Sequence, residues 1–170
     1  MSTAPQPVVT LADLPLNAWE RGDLYAAADN SFTDLLGLRD LAVRFNIVPP
    51  GKSSCPFHSH HVEEEMFVIL KGSGTYRYGT STHPVKEGDV LGAPNGGPET
   101  AHQIINTGGE PLVYLGISTN SPIEVCEYPD SGKFLAYSRP SRRTFTEDKV
   151  VRHMGRPGNS LDYWDGEPRS

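Results

Sequence analysis

A chain of 170 residues is long enough for one well-buried core and short for two. Its 15 basic and 21 acidic residues leave a formal net charge of -6, which argues against nucleic acid as the main partner, because phosphate binding needs a basic field. The longest apolar run, Met66 to Leu70, falls far short of the roughly 20 residues of a membrane helix, so no membrane partner is expected.

Glycine (17) and proline (15) are spread along the chain between short apolar runs, the signature of an all-β sandwich or barrel. There is no internal repeat and no low-complexity block. The opening stretch MSTAPQPVVTLADLP lacks the basic start and long apolar centre of a secretory signal, so a cytoplasmic protein is expected. Cys55 and Cys126 form no CxxC pair; reduced thiols are the expectation there, with a disulfide between them the other reading.

Residues 1–30 mix proline, charge and small residues and read as an arm with a short strand or turn of helix. Phe32 to Asp40 holds at most one helical turn. Leu41 to Val48 alternates, with Leu41, Val43, Phe45 and Ile47 on one face and Arg44 and Asn46 on the other, which predicts a half-buried strand stopped by Pro49-Pro50-Gly51. Phe57 to His60 is extended, Glu65 to Leu70 is a β-prone strand, and Gly72-Ser73-Gly74 is a turn before a strand over Thr75 to Tyr78. Pro84-Val85 leads to a turn at Gly88-Asp89 and a strand over Val90 to Ala93. His102 to Asn106 and Leu112 to Ser118 read as a strand pair joined by Thr107 to Pro111. Asn120 to Gly132 is rich in turn residues, and Arg139 to Arg156 is basic with few large apolar residues.

The stretch Gly51 to Gly72 carries the chemistry. His58 and His60 lie two apart, so in an extended chain their rings share a face. Glu65 opens the next strand, and His102 opens a later one. Converging inside a barrel, the four would offer three nitrogens and one oxygen to a divalent transition metal. One or two positions would stay open for water or substrate, the pattern of a catalytic site. Imidazole ligands bind as the neutral ring, so occupancy should fall as pH drops through the histidine range, about 6.5.

These residues resemble the two cupin motifs in order: Gly51, His58, His60, Glu65 and Gly72, then Gly88, Pro94, Gly96, His102 and Asn106. The gap from Gly51 to His58 is one residue longer than the common pattern. The segment from Gly96 to His102 is also longer, by Gly-Pro-Glu-Thr-Ala, which would reshape the substrate entrance. The resemblance implies a single-domain double-stranded β-helix, a jelly-roll-like barrel over residues 31–133, with an N-terminal arm (1–30) and a C-terminal extension (134–170) that wraps the barrel or a partner subunit. It implies His58, His60, Glu65 and His102 as ligands of one ion, Fe, Mn, Ni or Zn. Among the consecutive Glu63, Glu64 and Glu65, spacing to Gly72 selects Glu65. It also implies a homodimer, as do the edges an open sheet would expose. GPETAHQIIN and EYPDSGK resemble small bacterial cupins, some similar to proteins labelled sugar-phosphate isomerases.

Neighbouring residues read more plainly. His61 reads as a histidine behind the ligands or at the rim, Cys55 as a small buried hydrophobe on the outward face, Gln103 as structural, and Asn106 as a turn-stabilising hydrogen bonder. Glu99, Tyr76 and Arg44 are the candidate substrate contacts, Arg44 because a guanidinium in the barrel suits an anion. A lid role for Tyr163 and Trp164 is a minor alternative. The expected function is a metalloenzyme acting on a small oxygen-rich metabolite, isomerase-like or dioxygenase-like. The alternative is a non-catalytic binding or sensor module, as the similarity to auxin-binding cupins suggests.

Overall fold

Alternation sets the two faces of the strand that organises the molecule, β3 (Leu41–Val48). Val43 and Phe45 are buried on one face and Asn46 and Val48 on the other, so both sides are covered. The computed structural model describes residues 4–139, 151–158 and 160–168. Around β3 run β1 (Asn17–Arg21), β2 (Tyr25–Ser31), β5 (Glu65–Lys71), β8 (Val90–Ala93) and β10 (Leu112–Thr119), in the antiparallel order β1-β2-β3-β10-β5-β8. A second array, β7-β6-β9, joins β6 (Ser73–Tyr78), β7 (Ser81–Lys86) and β9 (His102–Ile105). A third, β13-β12-β11-β4, joins β4 (Ser59–His60), β11 (Ile123–Tyr128), β12 (Lys133–Ser138) and β13 (Val151–Gly155). Helix is confined to α1 (Thr33–Leu36) and two short 3-10 turns among the described residues.

Two apolar clusters hold this together. The inner one draws Val48, Ile69, Tyr76, Val85, Leu91, Ile104, Leu112 and Tyr114 from both of the first two arrays, which makes it the barrel core. The outer one packs Val43 and Phe45 of β3, with Val113 and Leu115 of β10, against Leu14, Phe32 and α1. The apolar face of β3 therefore meets the N-terminal segment, and its polar face, Arg44 and Asn46, turns into the barrel. Alternation alone could not assign the faces, because the N-terminal segment supplies a second core.

Several expected elements change. The arm read over residues 1–30 contributes β1 and β2 to the main sheet, with Asp29 opposite Asn46 and Ser31 opposite Arg44. Strands β9 and β10 do not pair: β9 lies against β6, and β10 lies between β3 and β5. The link between them crosses from one array to the other instead of turning a hairpin. Asn106 governs that crossing, donating to Val48 O (2.8 Å) and Glu110 O (2.9 Å) and accepting from Gly108 N–H (3.0 Å). Strand β7 was missed, and the turn-rich stretch after Ser118 holds β11, whose neighbour β12 begins at Lys133. Of the basic segment, residues 140–150 lie outside the described residues; Arg139 is buried and bonds Ser121 O. Gly72 has φ +87, and a Cβ there would sit 2.7 Å from Pro111 O, so the first motif closes on glycine for steric reasons.

Replacing Asn106 with alanine strips partners from buried carbonyls. Urea unfolding should show a loss of about 1–3 kcal/mol, and metal content per folded chain should be unchanged.

Candidate metal centre

Backbone pairing brings the rings together before any side chain is considered. His58 and His102 form an isolated antiparallel bridge, His58 N–H donating to His102 O (3.2 Å) and His102 N–H to His58 O (2.7 Å). His60 sits on β4, opposite Cys126 of β11. Glu65 starts β5 on the inward face, opposite Ser118 and Ala93. One donor atom from each of His58, His60, Glu65 and His102 lies within 4.8 Å of all the others.

The distances suit one shared ion. Glu65 Oε2 lies 2.8 Å from His102 Nε2, 3.3 Å from His60 Nε2 and 3.8 Å from His58 Nε2. Ligands about 2.1 Å from a common metal are roughly 3.0–3.4 Å apart at octahedral or tetrahedral angles. The other face of each ring is already committed: His58 Nδ1 lies 2.9 Å from Pro56 O, His102 Nδ1 3.2 Å from Thr100 O, and His60 Nδ1 3.4 Å from Cys126 Sγ. With Nδ1–H turned outward, each Nε2 can present its lone pair to the centre. His60 Nε2 is buried without a hydrogen-bond partner, the orphaned atom a metal would satisfy. The residues therefore fit such an ion.

The charges agree. Burial, then the neighbouring His102 and His60, pushes His58 down to about 4, so this ring is neutral near pH 7. Burial acts against charge on His60 too, yet contacts with Cys126, Glu124 and Glu65 hold it well above the ordinary histidine range. Burial would raise Glu65, but the hydrogen bond with His102 and the close approach of His60 outweigh it and keep the carboxyl well below the usual carboxylate range. The cluster thus demands one positive charge beside Glu65, from a proton or from a metal.

His58, Glu65 and His102 border a cavity of about 440 Å³, so an ion there would face it. The same cavity is lined by Arg44 of β3, two strands from Glu65 in the main sheet and paired with Asp29, which also accepts from Trp19 Nε1 (2.6 Å). Gly116 lies between Arg44 and Phe67 on neighbouring strands and leaves that part of the lining open. Of the expected substrate contacts, Arg44 lines the cavity with its side chain 54% exposed. Tyr76 is buried behind it, its hydroxyl donating to Gly92 O (2.9 Å). Glu99 is turned back on its own loop, accepting from Gly97 N–H (2.9 Å). Cys55, expected on the outward face, lines the cavity instead. His61 is exposed, its Nε2 3.0 Å from Glu127 Oε1, and Tyr163 and Trp164 are exposed. Sequence reading missed Asp29 and Glu124, single carboxylates on short strands with no motif around them.

Residues 45–118 match the family described as Cupin domain. The chain is 34% identical to auxin-binding protein 1 of Arabidopsis thaliana over 73% of its own length and 65% of that protein. It is 37% identical to an oxalate-binding protein of Thermotoga maritima over 41% of its own length and 54% of that protein. It thus spans less than two thirds of either relative. A solved structure from Acidithiobacillus ferrooxidans, described as a candidate sugar phosphate isomerase, superposes with a TM-score of 0.67 at 29% identity, covering 76% of this chain and 85% of that one. No helix among the described residues is long and apolar enough to cross a membrane.

His60→Ala removes one ligand and should cut bound metal sharply, by elemental analysis, while circular dichroism stays that of the folded chain. Normal metal content in that variant would reject the site.

Proposed function

We propose that this chain, a cupin-domain protein, is a metal-dependent enzyme acting on a small, oxygen-rich, singly charged acid. The observation that carries the reading is the cavity itself, lined by His58, Glu65 and His102 of the candidate metal cluster and by Arg44. Iron, manganese, nickel or zinc all suit such donors. A bound divalent ion would supply Lewis acidity, polarising a carbonyl or lowering the pKa of bound water.

The chain's own residues set the ligand's charge. With a divalent ion in place, Glu65, Asp29 and Arg44 leave the cavity one net positive charge, which suits a monoanion. A guanidinium has five N–H donors, and Asp29 engages Arg44 through Nη1, so donors are left for a ligand carboxylate or hydroxyl. A sugar phosphate is a poorer match, because its dianion would meet one guanidinium that already has a carboxylate partner.

Proton transfer is less well provided. Burial, then the charge of Glu65, pushes Cys55 up to about 12, and burial raises Tyr114. Asp29 is held by Arg44 and Trp19. An enediol isomerase needs a base besides the ligands, whereas dioxygenase-like chemistry does not, so the dioxygenase-like version is favoured. The same shortage favours the second reading, a module that grips a small carboxylate and releases it unchanged. The likeness to auxin-binding and oxalate-binding proteins supports this second reading.

Thermal shift of the iron-loaded protein against small hydroxy acids and sugar phosphates, followed by oxygen-uptake measurements, separates these outcomes. A stabilising acid consumed with oxygen supports the enzyme; one recovered unchanged supports the binding module. Arg44→Met should weaken that acid about 10-fold or more, as expected for a lost charged hydrogen bond. Gly116→Val should do the same by filling the cavity beside Phe67, whose Cε1 would lie 3.4 Å from the new Cβ. Both variants should keep full metal content.

A further inference from the structure

Glu124 is the most conspicuous group that the reading above leaves unused. It lies on β11, outside both motifs, and is 1% exposed. A buried carboxylate is costly unless it is hydrogen-bonded, and this one is surrounded by donors. Its Oε1 accepts the N–H groups of Val62 (3.2 Å) and Val125 (2.6 Å) and shares that of His61 (3.0 Å) with Val125 O (2.9 Å), and its Oε2 accepts that of Glu63 (2.6 Å). Oε2 also lies 3.5 Å from His60 Nδ1.

Three of those N–H groups belong to the link 61–64, the irregular segment that joins His60 to Glu65. The rest of that link is pinned from the same side. Glu64 N–H donates to Thr119 Oγ1 (3.0 Å), and Glu63 Oε1 accepts from Ser121 N–H (2.7 Å). A segment without regular structure, carrying a proposed ligand at each end, is thus shaped by side chains and backbone of residues 119–125.

We propose that Glu124 is the positioning residue of the metal centre, setting the placement of both His60 and Glu65; this rests on the metal reading above. It acts in two ways. By gathering the amides of residues 61–63 it fixes the separation and direction of the two ligands. By facing Nδ1 of His60, beside Cys126 Sγ, it orients the ring so that Nε2 turns to the centre. His60, Glu124 and Cys126 also offer atoms within 4.8 Å of one another, the outline of a second metal site. Four backbone donors already occupy the Glu124 carboxylate, so it belongs to the loop and not to a second ion.

The test uses the full chain loaded with Co(II), read by chelator competition and by the visible ligand-field absorption. Glu124→Gln should bind Co(II) about 10–100-fold more weakly, the usual effect of losing the partner of a ligating histidine, and should shift the absorption bands. Cys126→Ala, which keeps the carboxylate, should change both far less. Unchanged affinity, or weaker binding with the spectrum unmoved, overturns the positioning role while leaving the metal reading standing. Failure of the unaltered chain to take up Co(II) overturns both. Should Glu124→Gln not fold, nitrogen NMR of the zinc-loaded unaltered protein decides. The proposal requires coordination of His60 through Nε2 and slow exchange of the Val62 and Glu63 amides. Coordination through Nδ1, or exchange as fast as in an open loop, contradicts it.

Discussion

Three imidazole rings and a carboxylate cannot crowd together inside a barrel without something positive between them. Glu65 is buried against His58, His60 and His102, and its ionised form is favoured there by the hydrogen bond with His102 and by positive charge on a ring or an ion. That requirement organises the neighbourhood. The bridge between His58 and His102 brings two motifs far apart in the chain into one hydrogen-bonded pair. Outward acceptors at Pro56 O and Thr100 O turn the remaining ring nitrogens away from the centre. The ligating form of each ring is neutral, so uptake of a cation should release any proton the rings carry.

The barrel makes room for this by inverting a common pattern. On β3 and β10 the apolar residues Val43, Phe45, Val113 and Leu115 face outward against the N-terminal segment, and Arg44, Asn46, Gly116 and Ser118 face inward. The second core stabilises the sheet from outside, which lets the inner face carry polar groups and an open volume without losing all apolar packing. Toward the other end, Ile69, Leu112 and Val48 close the barrel. The cavity and the packed core are thus two stretches of the same inner surface.

The metal cluster was legible because it depends on residue types rare in strands, at spacings that period-2 geometry turns into one face, in the order of a known pair of motifs. The strands β3, β5, β6, β8 and β10 were legible for another reason: short apolar runs bounded by glycine and proline. What escaped was decided by partners distant in sequence. Nothing near Glu124 announces that its carboxylate would collect amides from residues 61–63. Asp29 looked like one more polar residue of an arm until β2 placed it opposite Asn46, beside Arg44. The supposed hairpin of β9 and β10 failed because Asn106 sends the chain across the barrel instead of back on itself. Glu99 was expected in a loop at the mouth, but the tight 3-10 turn over Pro98–Thr100 returns its carboxylate to Gly97.

The central claim is that one ion is shared by residues from two separate parts of the chain. X-ray absorption at the metal edge, on protein purified from its own source without chelator, tests it most directly. The account predicts stoichiometric metal with the multiple-scattering signature of about three imidazoles and oxygen ligands completing the shell. Absence of metal, or a shell of sulfur with no imidazole scattering, would contradict it.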